Sequence, residues 1–238
     1  MTVLTRDWPL GQTSAVSQAN LNQPLFRGLS RTQMTRIRRS FDEVLLDPAQ
    51  ALAEPAANAH LMGIVDSGAL REDVQEANGY RLFGLIFAQE IFAPGRSWTR
   101  LTAIEETRLL TCEADRFAGL LDTMPRLRLN YLHAIQDQIS QARQWYVMLG
   151  RKTARERVAS LLHNVWMRQG QPQELALHLT RAELGQLLCL TLETVSRQMK
   201  ALEQQRIIRM PQPSHVLIRD PQALFAATGE SSTLRDAA

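Results

Sequence analysis

The stretch RAELGQLLCLTLETVSRQMKALEQQR, from Arg181 to Arg206, leaves its part of the chain few folds to choose from. Thr180 and Glu183 bracket a capping box, in which the threonine hydroxyl accepts from the amide three residues on and the glutamate reaches back to the cap amide. A helix therefore starts at about Arg181. Leu184, Leu187 and Leu188 give it an apolar face, Cys189-Leu190 makes a turn, and Thr191 can cap a second helix. In that second helix Leu192, Val195, Met199 and Leu202 recur at helical spacing and must pack on something. Glu193, Ser196, Arg197 and Lys200 form a polar stripe centred about 130° away. The following RIIRMPQPSHVLIRD reads as a β-hairpin, with Ile207-Ile208 and Val216-Leu217-Ile218 as strands around Pro211-Gln212-Pro213, where proline suits a turn. Helix, tight turn, helix and wing make a winged helix-turn-helix, whose second helix enters the DNA major groove with its N-terminal residues against base edges.

Upstream the pattern differs. From about residue 40 to 118, short apolar pieces alternate with turn signals: LMGIV before Asp66-Ser67-Gly68, then Ala69 to Glu76, then Ala77-Asn78-Gly79 ahead of YRLFGLIF. Asn-Gly between such runs marks a tight hairpin, because both residues tolerate positive φ. This region reads as an all-β unit. Residues 24–39 read as a helix leading into it, with Leu29, Met34 and Ile37 as apolar points and Ser30 as cap. From Pro125 to about Gly150 comes one long helix on which Leu132, Ile135, Ile139, Ala142, Tyr146 and Leu149 alternate at spacings of three and four. Such a narrow seam suits a second helix, so a parallel homodimer is expected through it. The organisation expected is 1–120 for the leading helix and β unit, 121–150 for the dimerisation helix and 151–238 for the winged unit. The tail from about Thr228, small and polar, is expected to fray.

Composition narrows the function. Residues 1–150 carry a net charge of −1 and residues 151–238 one of +4, which points the second part towards a polyanion. The two cysteines, Cys112 and Cys189, make no CxxC unit, and the five histidines stand singly, so no metal site is expected. No short signature of nucleotide or acyl chemistry is present, no catalytic residues can be named, and no enzyme activity is expected. With neither a long apolar run nor a charged start followed by an apolar stretch, a cytoplasmic protein without membrane contact is expected.

The segment LTRAELGQLLCLTLETVSRQMKALEQQRII, with Glu193, Ser196 and Arg197 set as E-x-x-S-R, resembles the Crp/Fnr superfamily of bacterial transcription regulators. Weaker similarity covers PLFRGLS, IVDSGALR, GYRLFGLIFAQEIF and RKTARERVASLLHNV. The resemblance implies an α+β chain with an N-terminal jelly-roll β-roll like those that bind cyclic nucleotides, a dimerising helix and a DNA reader acting with RNA polymerase. It also implies half-sites like TTGAT, hence an operator like TTGAT-N4-ATCAA, and control of oxygen-, nitric-oxide- or redox-linked genes. The alternative is a ligand-binding sensor, for a cyclic nucleotide or haem, whose main output is not DNA binding.

Residue chemistry fits the DNA reading. The Arg197 fork matches guanine O6 and N7, Glu193 can accept from a cytosine or adenine amino group, and Ser196 can touch a thymine methyl or an acceptor. Arg181, Thr194, Lys200, Ser214 and His215 are the expected phosphate contacts. Cys189 stands where relatives commonly have a turn glycine, so the turn either avoids positive φ or carries strain; a small buried hydrophobe is the expected role, with thiol oxidation at Cys112 or Cys189 as the alternative. Glycines are also replaced in LLDPAQALAEPAANAHLMG, where distortion is expected. No cofactor is expected. Gly95-Arg96-Ser97 after Glu90 reads as a turn rather than a cyclic AMP pocket, and no cysteine precedes Cys112 to hold an iron–sulfur cluster. Haem, which leaves no short motif, stays open.

Overall fold

The computed structural model describes residues 13–15 (backbone only), 22–52, 60–77, 79–93, 99–212 and 214–230. They fall into two compact units that divide between Asp137 and Gln138, part-way along the long helix.

In the first unit, β1 (Thr13–Ala15), β2 (Asp42–Leu46), β3 (Leu61–Ser67), β6 (Ile91–Phe92) and β8 (Thr107–Glu113) form a sheet of order β1-β2-β8-β3-β6. Strands β4 (Ala69–Glu76), β5 (Gly79–Phe87) and β7 (Thr99–Ala103) form a second sheet, β5-β4-β7. The LMGIV run is explained by burial of β3 on both faces. Val44, Val65, Leu70, Leu101 and Leu109 pack between the sheets. The outer face of the larger sheet, through Met62, Ile64, Leu110 and Cys112, is covered by Phe26, Ile37, Phe117, Leu120 and Leu127. This is the jelly-roll type of roll.

Three details of this unit depart from the sequence reading. The leading segment is not one helix: a 3-10 turn at Pro24–Phe26 is separated from α1 (Arg31–Ser40), because Ser30 accepts from the Gln33 amide and Gln33 returns the bond, which starts a new helix there. The β region stops at Glu113, and Ala114–Thr123 forms α2, whose buried Phe117 and Leu120, three residues apart, give too brief a period to read. The β4–β5 ladder closes with Glu76 opposite Gly79, so the loop is residues 77 and 78 and Gly79 begins the strand at φ +124°. Asn78 lies outside the described residues, as do 53–59. Within the glycine-poor loop, Ala49 holds the left-handed conformation at φ 67° while its amide bonds to the Ala103 carbonyl at 2.8 Å. There the turn is kept and the backbone carries the strain.

Helix α3 (Pro125–Arg151) runs through the unit boundary. Leu127 is buried, and Tyr131, Ala134 and Ile135 pack on the roll core. The seam beside that face is open: Leu132 is 54% exposed, Ile139 47% and Tyr146 82%, with Ala142 also exposed. Ile135 and Leu149 are half-buried, so the six seam residues are not equally available. No described helix is long and apolar enough to cross a membrane.

The second unit holds α4 (Ala154–Arg168), β9 (Glu174–Ala176), α5 (Arg181–Leu188), α6 (Leu192–Gln204), β10 (Ile208–Gln212), β11 (His215–Ile218) and α7 (Pro221–Ala227). Its sheet order is β10-β11-β9. Pro211 sits within β10 rather than in the turn; β10 is an edge strand with a register shift between Arg209 and Gln212, where a missing N–H costs the ladder nothing. Strand β9 and helix α7 were not legible, one for its three residues and the other for its seven. The chain does not fray at Thr228, which is 1% exposed, and Glu230 lies 2.6 Å from the Lys152 ammonium. Residues 231–238 lie outside the described part.

Candidate nucleic-acid interface

Helices α5 and α6 are joined by three residues, and packing decides how. Gly185 approaches the turn so closely that a Cβ there would stand 2.6 Å from the Leu190 carbonyl oxygen. Cys189 adopts φ 53°, ψ 46°, and its amide and that of Leu190 bond back to Gln186 and Gly185 carbonyls. The turn thus keeps the left-handed geometry of a glycine with a cysteine in it, at about 1–2 kcal/mol. Cys189 is exposed, not the buried hydrophobe expected: a left-handed C-cap residue points away from the helix it ends. Cys112 is the buried thiol. Burial in the roll pushes its pKa up to about 12, with smaller opposed effects from Arg116 and Glu113, so thiolate chemistry near neutral pH is suppressed.

The Thr180 hydroxyl and Glu183 close the capping box of α5 in both directions. The Thr191 hydroxyl accepts from the Thr194 amide at 3.2 Å and opens α6. From α6 the unit buries Val195, Met199 and Leu202. Leu192 continues their period but is 47% exposed. On the other face Glu193, Arg197 and Lys200 are exposed and Ser196 is half-buried. The Glu193 carboxyl is held below its usual range, first by its own backbone amide at the helix start and then by the Thr191 hydroxyl. It is therefore a fixed acceptor.

The expected phosphate contacts fare unequally. Lys200 is exposed, and Thr194 accepts from the Thr191 hydroxyl at 3.2 Å, so its own hydroxyl proton can point outward. On the wing, Ser214 and His215 are half-buried and bonded to each other at 3.1 Å, with the His178 ring 6.4 Å from that of His215. Arg181 is turned inward. Its Nη2 donates to Met210 Sδ at 3.1 Å and its Nη1 is buried without a partner, so the guanidinium is turned into the protein. Burial pulls its pKa down, against the attraction of Glu203. The stem packs because β10 passes over the first turn of α5, which no local pattern announces.

In the roll, the residues 94–98 that include Gly95, Arg96 and Ser97 lie outside the described part. Glu90 Oε2 accepts the Phe87 amide at 3.0 Å, and Gln89 between them takes φ 71°. Among the described residues, no group of three or more His, Cys, Asp or Glu could hold a metal ion.

Comparison with known proteins bears on this geometry. Residues 156–227 match the Crp-like helix-turn-helix domain. The chain is 34% identical over 163 residues to the transcriptional activator protein FnrL of Cereibacter sphaeroides, covering 64% of this chain and 66% of that protein. It is 33% identical over 127 residues to the nitrogen fixation regulation protein FixK of Azorhizobium caulinodans, covering 51% of each. Residues 156–227 are thus a Crp-like helix-turn-helix domain, and the chain is similar to Crp/Fnr regulators of the Fnr/FixK type. The matched stretches span less than two thirds of either relative. The Crp/Fnr fold extends further: the structure of FixK2 from Bradyrhizobium japonicum superposes with a TM-score of 0.69 over 80% of this chain and 98% of that one, at 23% identity. The two residues that sequence reasoning passed over in the Crp-like domain are Gly185 and Arg157. The first was readable only as a small residue in a helix, the second only as one more charge.

Proposed function

We propose that this protein is a sequence-specific DNA-binding transcription regulator that acts as a homodimer on a TTGAT-N4-ATCAA-like operator and engages RNA polymerase. The observation that carries this reading is the outer face of α6, where Glu193 and Arg197 are exposed and Ser196 is half-buried beside them, in the N-terminal half of the second helix of a helix-turn-helix. Arg197 there reads guanine, and the pre-ionised Glu193 accepts from a base amino group. Thr194, Lys200, Ser214 and His215 set the register on phosphates. Arg181 joins them only by leaving Met210, a rotation that its unpartnered Nη1 favours.

Homodimerisation is supported by the open stripe of Leu132, Ile139 and Tyr146 on a 27-residue helix. Two readers about one helical turn apart fit two inverted half-sites. The relatives named as transcriptional activators support the regulatory role. The signal belongs to oxygen, nitric oxide or redox chemistry, read in the cytoplasm, without cyclic AMP or an iron–sulfur cluster, and haem stays open. Support for leaving out cyclic AMP is that the Glu90 carboxylate is spent on its own turn.

Fluorescence anisotropy with labelled duplexes tests the function. The wild-type chain should bind TTGAT-N4-ATCAA far more tightly than a scrambled duplex at the same salt concentration. Equal binding to both would refute sequence-specific reading.

A further inference from the structure

We propose that Arg157 is a positioning residue for DNA reading, because its one guanidinium ties the end of the long helix to the turn that aims α6. The proposal rests on the DNA-binding reading above. Arg157 lies on the first turn and a half of α4, facing two helix ends at once. Its Nε donates to the Lys152 carbonyl at 2.9 Å, and its Nη1 donates to the Leu188 carbonyl at 3.1 Å. Lys152 directly follows the last residue of α3, and its amide closes on the Met148 carbonyl at 3.2 Å. Leu188 is the last residue of α5.

Both acceptors are helix C-terminal carbonyls, which lack partners inside their own helices and carry the negative ends of the helix dipoles. A cation that bonds to both serves each better than water could, and the planar fork of arginine fixes the direction between them. Leu188 is fully buried, so its carbonyl has no ready solvent substitute. Only Cys189 and Leu190 then separate it from Thr191, the cap of the reading helix.

The other end of the tie is equally fixed. The Lys152 side chain is 14% exposed, and its ammonium donates to Ser160 Oγ at 2.8 Å and to Glu230 Oε1 at 2.6 Å. Residue 152 is therefore held through its side chain by α4 and the segment after α7, and through its carbonyl by Arg157. A displacement at the end of α3 is passed by one side chain to the carbonyl that precedes the left-handed Cys189. The Cys189 conformation is strained, so small forces on its neighbour change the aim of α6.

The test uses the full-length Arg157→Lys and Arg157→Gln variants beside the wild type. Lysine keeps the charge but loses the fork; glutamine keeps one donor group and loses the charge. Titration of operator duplex at protein concentrations well above Kd counts competent chains, and anisotropy at low concentration gives Kd separately. Both variants should fold and keep the wild-type competent fraction, with a lowered thermal midpoint and affinity about tenfold weaker, as expected for one charge-assisted hydrogen bond. Discrimination against a site substituted at its guanine should be unchanged, and amide exchange at residues 189–192 should quicken. An affinity within about twofold of wild type, or a loss explained entirely by a reduced competent fraction, overturns the positioning role. So does failure of both variants to fold, which makes the double cap purely structural. If the wild type itself binds no operator, the DNA-binding reading has failed instead.

Discussion

In the roll, Arg71 lies 2.7 Å from Asp73, Arg81 3.3 Å from Glu76 and Arg108 3.3 Å from Glu43, and Arg100 stands over the Tyr80 ring; in the winged unit, Arg197, Lys200, Arg206, Arg209 and Arg219 have no partner among the described residues. These four roll arginines find a carboxylate or a ring within their own unit, whereas these five winged-unit cations do not. Exposed ion pairs contribute little to stability, so pairing matters here mainly for what it leaves to bind. Charge left unpaired there, at a balance of +4 for residues 151–238, supports the proposal that the winged unit meets an anion.

The contrast can be broken most severely by separating the copies. Leu132→Glu with Ile139→Glu, both on exposed positions, should give a chain that sediments as a monomer, with operator affinity lower by roughly 10²–10⁴ because the second half-site no longer binds at high effective concentration. Ile135 is a poorer choice, since it packs on the roll core and its loss would confound folding with assembly. A variant that still sediments as a dimer would place the interface elsewhere.

Arg197→Ala comes next. Operator binding should weaken by roughly 1–3 kcal/mol, and the preference for guanine at that position should disappear, as read by anisotropy on single-substituted duplexes. If instead every duplex weakens alike, Arg197 touches only phosphate.

Strain offers a comparison shared by both units. Cys189→Gly should raise stability by about 1 kcal/mol by relieving a left-handed side chain, offset by the greater freedom of glycine in the unfolded chain. Ala49→Gly should do the same in the roll. Calorimetry of the two variants shows which unit each stabilises; a fall in the melting temperature for either would mean that its positive φ is not a source of strain.

The smallest effect concerns Glu72, the roll carboxyl whose pKa is raised by burial and then by Asp73. A raised carboxyl binds its proton more tightly when folded, so its ionisation disfavours the fold at neutral pH and ceases to do so as pH falls below the ordinary value of 4.5. Glu72→Gln should therefore raise the thermal midpoint at pH 7, with the gain shrinking towards acid. A gain independent of pH would assign it to packing instead.

Much of the winged unit could be read in order along the chain because its signals are local. Capping boxes need residues three apart, and an apolar period needs one helix, so Thr180, Glu183, Thr191, Val195, Met199 and Leu202 announced themselves. The open face of Glu193 and Arg197 followed from the same period. The long helix at 125–151 was legible for the same reason, as was the alternation of strands and turns before it. What the sequence could not decide depends on elements distant along the chain. Arg181 looks like a surface cation until β10 brings Met210 against it, 29 residues later. Cys189 looks like a small core residue until the Gly185 contact with the Leu190 carbonyl forces the turn and turns its side chain outward. Arg157 gains meaning only when the ends of two other helices converge on it, one 31 residues away. Local periodicity sets which residues share a face, but which carbonyl, sulfur or solvent that face meets is decided by packing between elements that no local period connects.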